Sequence, residues 1–534
     1  MDTRAQLRRT RSRKPPAIAG ALSLVSVLSL GLSGCATSVK YNRPEVKLNQ
    51  GWQQQDTRVE ARAQDAAWWR TFEDPTLDRL IEMAHSQNLP LQTAGLRIFE
   101  ARAQLAFAVG RKYPQIQQAF ANATAVGQSE NAPNTIAAVD RHYGDFQVGF
   151  DAAWELDFWG RYKGDIQAQT AEHLATIADY DTALVSLNAE VARTYAVIRT
   201  FEVLVALTRT NVGLQEEGLR IADARFKHGA TSELDVWQAR TLLESTRATI
   251  PLLETSLVQA RNALAILLGQ PPGSVEPLLA GSSGIPTPRG TVGVSVPADL
   301  LRRRPDIRTA ELRSMAQGDR IGVARADLYP RLSLFGSVGL QTSTATGFRS
   351  TNTSVPNLFS TGSIFFGIGP RIIWPFFNYG RIKNNVRIQD ARFQQGLVDY
   401  QNTVLLAARE VEDGLVGYVK SQESATFEQN AADAARQSAD LAMVQYREGA
   451  VDYQRVLDAQ RILLQEETTL AQTRSSIATN LIALYKALGG GWELRPQQPI
   501  VPEPLRAEME KRTDWGDLLS QPQPSPEPQT PDHK

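Results

Sequence analysis

The chain has 534 residues, 57 basic against 57 acidic side chains, one cysteine and five histidines. Zero net charge removes the electrostatic case for a nucleic-acid partner, and a lone Cys35 excludes a disulfide framework or a cysteine-based zinc site within one chain. No two histidines stand four residues apart, and there is no GxxxxGK(S/T) phosphate loop, HExxH helix or GxSxG elbow, so neither enzyme chemistry nor a metal or cofactor is expected.

In chain order, six cations between Arg4 and Lys14 precede an apolar run from Ala17 to Leu32. The run is short for a membrane span, which needs ~20 apolar residues, and the layout is that of an export signal. It ends in Leu32-Ser33-Gly34-Cys35, which resembles the bacterial lipobox. That resemblance implies cleavage after Gly34 and a diacylglycerol and N-acyl group on Cys35. Ala36 follows, not the aspartate of inner-membrane retention, so delivery to the outer membrane is expected. Removal of residues 1–34 takes away six basic and one acidic side chain and leaves the mature chain near −5.

The remainder reads as two copies of one plan. Tyr113-Pro114 and Tyr329-Pro330 lie 216 apart, whereas Gly160-Arg161, Glu190-Val191, Gly229-Ala230 and Gly269 each recur 220 residues later. A short helix is expected over Thr76–His85 and an ascending helix over Pro90–Lys112, matched in the second copy by Asp299–Tyr329. From Ile177 to Phe226 apolar residues alternate steps of three and four, with polar lapses at Thr194, Thr208 and Gln215, and no proline interrupts. That is a heptad seam. A continuous helix from Gly160 to Lys227 would be ~100 Å long. It carries too many charges for lipid, so it stands in water against other helices. Arg381–Arg447 repeats it. The Gly-Ala breaks at 229–231 and 449–451 end these helices, Ser232 with Asp235 and Asp452 start new ones, and each break is the tip of an antiparallel hairpin.

Between the Tyr-Pro and Gly-Arg marks the period falls to two. Phe146, Val148, Phe150, Ala152, Trp154, Leu156 and Phe158 alternate with small, amidic and acidic residues. Strands are expected at about 114–128, 144–158, 330–341 and 363–376, the first marked by Ile116, Phe120 and Val126. One lipid-compatible face and one polar face fit an outer-membrane barrel, and Trp154, Phe158, Trp159, Trp374, Phe376 and Phe377 fit an interfacial girdle. A soluble sheet with one wet face would alternate likewise; the export signal and the long helices favour the barrel. Four strands cannot close one, and open edges are not tolerated in lipid. Shared barrels of two or three chains follow, and three would leave a lumen.

Taken together, "VPADLLRRRPDIRTAE" (296–311), "LYPRLSLFGSVGL" (328–340), the paired Gly-Arg marks, "YREGAVDYQRVLDAQ" (446–460) and the lipobox resemble the TolC-type outer-membrane factors, in their NodT-type lipoprotein branch. The resemblance spans roughly residues 36–495. It implies a mainly α fold with a membrane β-barrel: a long helical barrel, four barrel strands per chain, and a homotrimer with twelve strands. It divides the chain into a signal peptide (1–34), an acylated segment (35–75), a first repeat (76–269), a linker (270–298), a second repeat (299–490) and a periplasmic tail (491–534), with disorder expected from about Leu494. It implies an exit duct in a tripartite efflux pump of the Gram-negative outer membrane. Its partners would be a periplasmic adaptor, an inner-membrane transporter of the resistance-nodulation-division class, and outer-membrane lipid. A secretion duct of the same build and a non-pore coiled-coil lipoprotein are the rival readings. The family's pore-narrowing aspartate matches Asp458. Gln454 stands where an apolar plug is common, and Tyr446, Arg447 and Glu448 are expected to tie neighbouring hairpins shut. Gly229, Ala230, Gly449 and Ala450 mark the expected adaptor-docking surface.

Overall fold

The computed structural model describes residues 39–520 except Lys40, Gln55, 61–65, 132–139, 289–291, 295–296, 298–302, 346–354 and Gln498. Residues 1–38, with the export signal and Cys35, and residues 521–534 lie outside the described part. The chain divides into two compact units, one built on residues 109–165 and 319–389 and the other on 40–108, 166–318 and 390–520.

The second unit is helical. Helix α1 (Pro75–Gln87) starts at Asp74, whose carboxylate accepts the amides of Thr76 at 2.9 Å and Leu77 at 3.4 Å, with Pro75 at the first position where its missing N–H costs nothing. The same carboxylate accepts the hydroxyls of Ser282 at 2.7 Å and Tyr195 at 2.5 Å, so one cap also pins two distant segments. Helix α2 is Leu89–Gly110, α3 Arg161–Lys227 and α4 Glu233–Leu267. Of the helix expected over Asp299–Tyr329, residues 299–302 lie outside the described part, and α5 is Pro305–Ala326, with proline at its first position. Helices α6 (Arg381–Arg447) and α7 (Tyr453–Ala487) have the 67 and 35 residues of α3 and α4.

The heptad seam is the buried face of α3. Ile177, Tyr180, Leu184, Leu187, Val191, Ile198 and Val205 are buried, and so are the three polar lapses Thr194, Thr208 and Gln215. Thr208 satisfies its hydroxyl on the Leu204 carbonyl at 2.7 Å. Ile177, Tyr180, Leu184, Leu187, Val191 and Ile198 join Tyr400, Val404, Val411 and Leu415 of α6 and Leu481, Leu484 and Tyr485 of α7 in one core. Phe226 alone among the seam's large apolar members is well exposed, because the seam gives out before the tip.

The segment 270–298, expected as a linker, sends apolar side chains into the core: Val275, Leu279, Val292 and Val294 are buried, and Val292–Gly293 pairs in parallel with Val59–Glu60. The disorder expected from about Leu494 fails over the described residues up to Ser520. A helix α8 (Glu503–Arg512) follows a 3-10 turn, and Val501, Met509 and Leu519 pack on Phe99 of α2. Gly95 admits that packing, since a Cβ there would meet the Ile500 carbonyl at 2.5 Å. Arg495 and Asp181, both almost wholly buried, pair at 2.6 Å. Composition averages the prolines and charges of this tail; the apolar anchors between them decide its structure.

The first unit holds a four-stranded antiparallel meander, β1 (Ile116–Gly127), β2 (His142–Glu155), β3 (Arg331–Ser343) and β4 (Ile364–Ile373), in that order. The register places Ala119, Phe150, Val338 and Phe366 in one cross-strand row, and Ala121, Val148, Leu340 and Ile364 in the next. This apolar face is open: Phe150, Val338, Phe366 and Ile368 are all exposed. The other face carries Asp145, Gln147, Asp151, Gln341 and Arg371, and Gln147 and Gln341 donate to Asp145 at 2.9 and 3.0 Å. Ile116, Phe120 and Val126, which marked β1 in the sequence, lie on this second face, opposite Ala153, Gly149 and Tyr143. The reason is local. Phe120 and Phe365 lie over Gly149 and Gly339, where a Cβ would meet each ring at about 3 Å. The apolar face of β1 is alanine instead. Strands β1 and β4 are the free edges. Among the described residues no helix is long and apolar enough to cross a membrane.

Candidate functional site

Both Gly-Ala breaks close their helices in the same way. Ala230 donates to the Arg225 carbonyl at 2.8 Å and Gly229 to that of Phe226 at 2.9 Å; Ala450 and Gly449 repeat this on Gln445 and Tyr446 at 2.8 and 3.0 Å. This is a Schellman closure, which needs a left-handed residue, and Gly229 and Gly449 supply φ of +69° and +80°. The restarts differ. Asp452 caps α7 by accepting the Arg455 amide at 3.3 Å. Ser232 has the extended backbone of a cap but makes no side-chain capping bond; Thr231 hydrogen-bonds the Asp235 carboxylate instead. The capping box expected from Ser232 and Asp235 is therefore absent, because Asp235 is engaged by a different hydroxyl.

The second tip is packed into the first. Tyr446, the penultimate residue of α6, is buried, with its ring edge-on to Tyr453 at 5.1 Å and its hydroxyl donating to Asp235 at 3.3 Å. Burial pushes that hydroxyl above its ordinary pKa. Ile221 and Ala222 of α3, Val236, Ala239 and Leu242 of α4, and Val456 and Leu457 of α7 complete the cluster. Arg225 covers it. Its guanidinium lies 4.9 Å from the Tyr446 ring centre and donates to the carbonyls of Tyr446, of Arg447 at 3.3 Å and of its own Ala230 at 3.4 Å. The last carbonyls of a helix lack intrahelical donors, so one side chain serves both helix ends.

The predicted site residues fall into two sets. Tyr446 is internal, and Arg447 reaches Glu217 of α3 at 3.7 Å. Asp458 and Gln454 are exposed one turn apart on α7, and Gln454 donates to Asp458 at 2.9 Å. Gly229, Ala230, Gly449 and Ala450 are exposed. Leu234 and Trp237, 61% and 53% exposed, stand beside the first pair on α4, with the Arg240 guanidinium 4.9 Å from the Trp237 ring centre. Sequence reasoning missed Arg225, Tyr453 and Glu217, and it read Asp235 only as a cap partner of Ser232. A trace was present: Arg225 and Glu233 of the first copy become Gln445 and Tyr453 in the second. No group of residues suited to a metal occurs among the described residues.

Long paired helical hairpins in one unit and an amphipathic four-stranded meander in the other are the elements of the outer-membrane channel class. The fold matches the solved outer-membrane channel OprN with a TM-score of 0.78 at 30% identity, covering 86% of this chain and 100% of that one. It matches the open state of the Neisseria gonorrhoeae MtrE outer membrane channel with a TM-score of 0.73 at 27% identity, covering 86% and 99%. The model of the outer membrane efflux protein family matches residues 80–270 and 296–490, and the chain belongs to that family. The solvent efflux pump outer membrane protein SrpC of Pseudomonas putida is 32% identical over 482 residues, 89% of this chain and 98% of that protein. The cation efflux system protein CusC of Escherichia coli is 30% identical over 469 residues, 87% and 98% respectively. The protein is an efflux protein of the outer membrane.

Proposed function

We propose that three copies assemble into one duct, with the twelve strands closing a barrel through the outer membrane and the two hairpins of each chain forming a helical tunnel. The sheet carries this reading. It has an exposed apolar face, a hydrogen-bonded polar face and two free edges, and lipid tolerates such a sheet only when its edges are paired. Its two halves descend from one duplicated unit, a reading supported by the equal lengths of α3 and α6 and of α4 and α7. The duct gives small molecules an exit, consistent with the solvent and cation pumps to which its relatives belong. A periplasmic adaptor docks at the tips around Gly229-Ala230 and Gly449-Ala450, and an inner-membrane transporter of the resistance-nodulation-division class drives transport. Cys35 carries the lipid anchor. Three Asp458 side chains, each held by Gln454, ring the closed mouth, and Tyr446 and Arg447 hold the second tip against the first.

Full-length protein extracted in mild detergent should run as a heat-modifiable trimer and conduct ions in planar bilayers. A monomer that does not conduct would overturn the duct. The double variant Asp458→Ala with Arg447→Ala should raise conductance and drug leakage; unchanged values in both would remove the gate assignment. Adaptor crosslinks found only away from the tips would remove the docking assignment.

A further inference from the structure

The corner that leads from β2 into α3 and the corner that leads from β4 into α6 are equivalent under the 220-residue offset, yet their charges differ. In the first corner acids answer both arginines. Arg161 pairs with Glu155 at 3.2 Å and Asp327 at 3.7 Å, and Arg111 with Asp165 at 3.2 Å. The Asp157 carboxylate accepts the amides of Tyr162 and Lys163 at 3.0 and 2.8 Å. Trp159 is folded in, stacked on Tyr329 at 4.5 Å and donating to the Pro330 carbonyl at 2.7 Å.

The second corner keeps the cations and loses the acids. Pro375, Phe377 and Asn385 stand at the positions of Glu155, Asp157 and Asp165, while Arg381 and Lys383 match Arg161 and Lys163, and Arg387 replaces Gln167. All three cations are exposed, none forms an ion pair among the described residues, and the first acid of α6 is Asp390. Cations in a first helical turn oppose the helix dipole; at α3 the Asp157 carboxylate on the first amides offsets them, whereas Phe377 at the matching place offsets nothing, so an external anion is favoured there. Beside them the aromatics face outward. Phe377 is 84% exposed and Tyr379, the counterpart of the half-buried Trp159, is fully exposed. Trp374 is exposed too, anchored by its indole N–H on the Leu328 carbonyl at 3.0 Å. Tyr379 holds a left-handed φ of 49°, rare and strained for a residue with a Cβ.

We infer that this second corner binds the phosphate headgroup of an anionic phospholipid. Arg381, Lys383 and Arg387 take the phosphate, and Trp374, Phe377 and Tyr379 occupy the boundary between headgroup and acyl chain. Guanidinium groups match phosphate oxygens in a planar fork, and exposed aromatic rings belong at a membrane interface. A soluble anion would use the cations and leave the rings in water; a lipid uses both. The inference rests on the sheet being membrane-spanning.

The test compares retention of phosphatidylglycerol and phosphatidylcholine by the full-length protein, reconstituted in vesicles of both lipids and read by native mass spectrometry after extraction. The wild type should keep phosphatidylglycerol in preference by roughly tenfold or more, as three cations near an anionic surface imply. The triple variant Arg381→Gln, Lys383→Gln, Arg387→Gln should lose the preference. A control with Arg193→Gln, Arg209→Gln and Arg220→Gln, which removes as many paired surface cations, should keep it. Equal retention of the two lipids by the wild type, equal loss in the control, or full displacement by inorganic phosphate would each overturn the site. If the triple variant does not fold, Phe377→Ser with Tyr379→Ser should lower retention of both lipids, and unchanged retention would count against the inference. Protein that does not enter vesicles at all overturns the membrane-spanning sheet. Protein that enters and conducts without a lipid preference overturns only the headgroup site.

Discussion

The two hairpin tips share a backbone and differ in their side chains. Both end in a Schellman closure on a left-handed glycine, at the same distance from the start of helices of equal length. At two matched places the tips differ in direction: Phe226 and Trp237 of the first are exposed, as is Leu234, although Val236 and Leu242 are buried. Their counterparts Tyr446 and Leu457 in the second are buried with Tyr453 and Val456 against α3 and α4. The first also supplies the polar partners, Arg225 and Asp235, that the second consumes. Equal backbones thus carry unequal side chains. The first tip is a platform with an unpartnered apolar surface, and the second is held on it by contacts that a partner could displace.

The contrast breaks most severely at Tyr446. Tyr446→Ala empties a fully enclosed position and should destabilise the second tip by about 3–5 kcal/mol, read as lost hydrogen-exchange protection across residues 440–460. Phe226→Ala, its counterpart, should stay within about 0.5 kcal/mol, as surface substitutions do. Equal losses would mean that the tips are not divided in this way. Next is Arg225→Ala, which strips donors from carbonyls of α6 and should cost the second tip about 1–3 kcal/mol. Gln445→Ala at the matching place should cost almost nothing. By contrast Gly229→Ala and Gly449→Ala should treat the tips alike, each costing about 1–2 kcal/mol for a side chain in left-handed backbone, because this feature belongs to the shared fold.

How much of this was legible in the sequence follows from range. The heptad seam and the Gly-Ala breaks are local, and the observed helix ends fall within a residue or two of them. The strands were legible through their period of two, although the sequence did not say which face the large residues of β1 take, and they lie on the polar one. Phe120 answers Gly149 and not its own neighbours, and only the register reveals that. Arg225 and Tyr446 are 221 residues apart, and no spacing rule connects a guanidinium to another helix's carbonyls. The parallel pair of Val59–Glu60 with Val292–Gly293 is two residues long and has no period to read. The tail was misjudged for a related reason: Val501, Met509 and Leu519 are too sparse to signal a core until Phe99 and Gly95 offer a surface for them.

The smallest expected effect is at Arg447, and it separates charge from contact. Its partner Glu217 already holds Arg220 with two hydrogen bonds at 2.6 and 2.7 Å, and Arg447 approaches it only to 3.7 Å. An exposed second partner at that distance adds little to stability, so Arg447→Ala should leave the thermal midpoint unmoved. The gate role proposed for Arg447 predicts an effect on the tip's freedom to move, and an effect of charge is screened. The Debye length is about 10 Å at 0.1 M salt and about 3 Å at 1 M. Bilayer recordings of wild type and Arg447→Ala should therefore differ in open probability at low salt and converge at 1 M. A difference that survives 1 M salt would assign Arg447 a role by contact. It would then belong with Tyr446 among the residues that physically seat the second tip on the first.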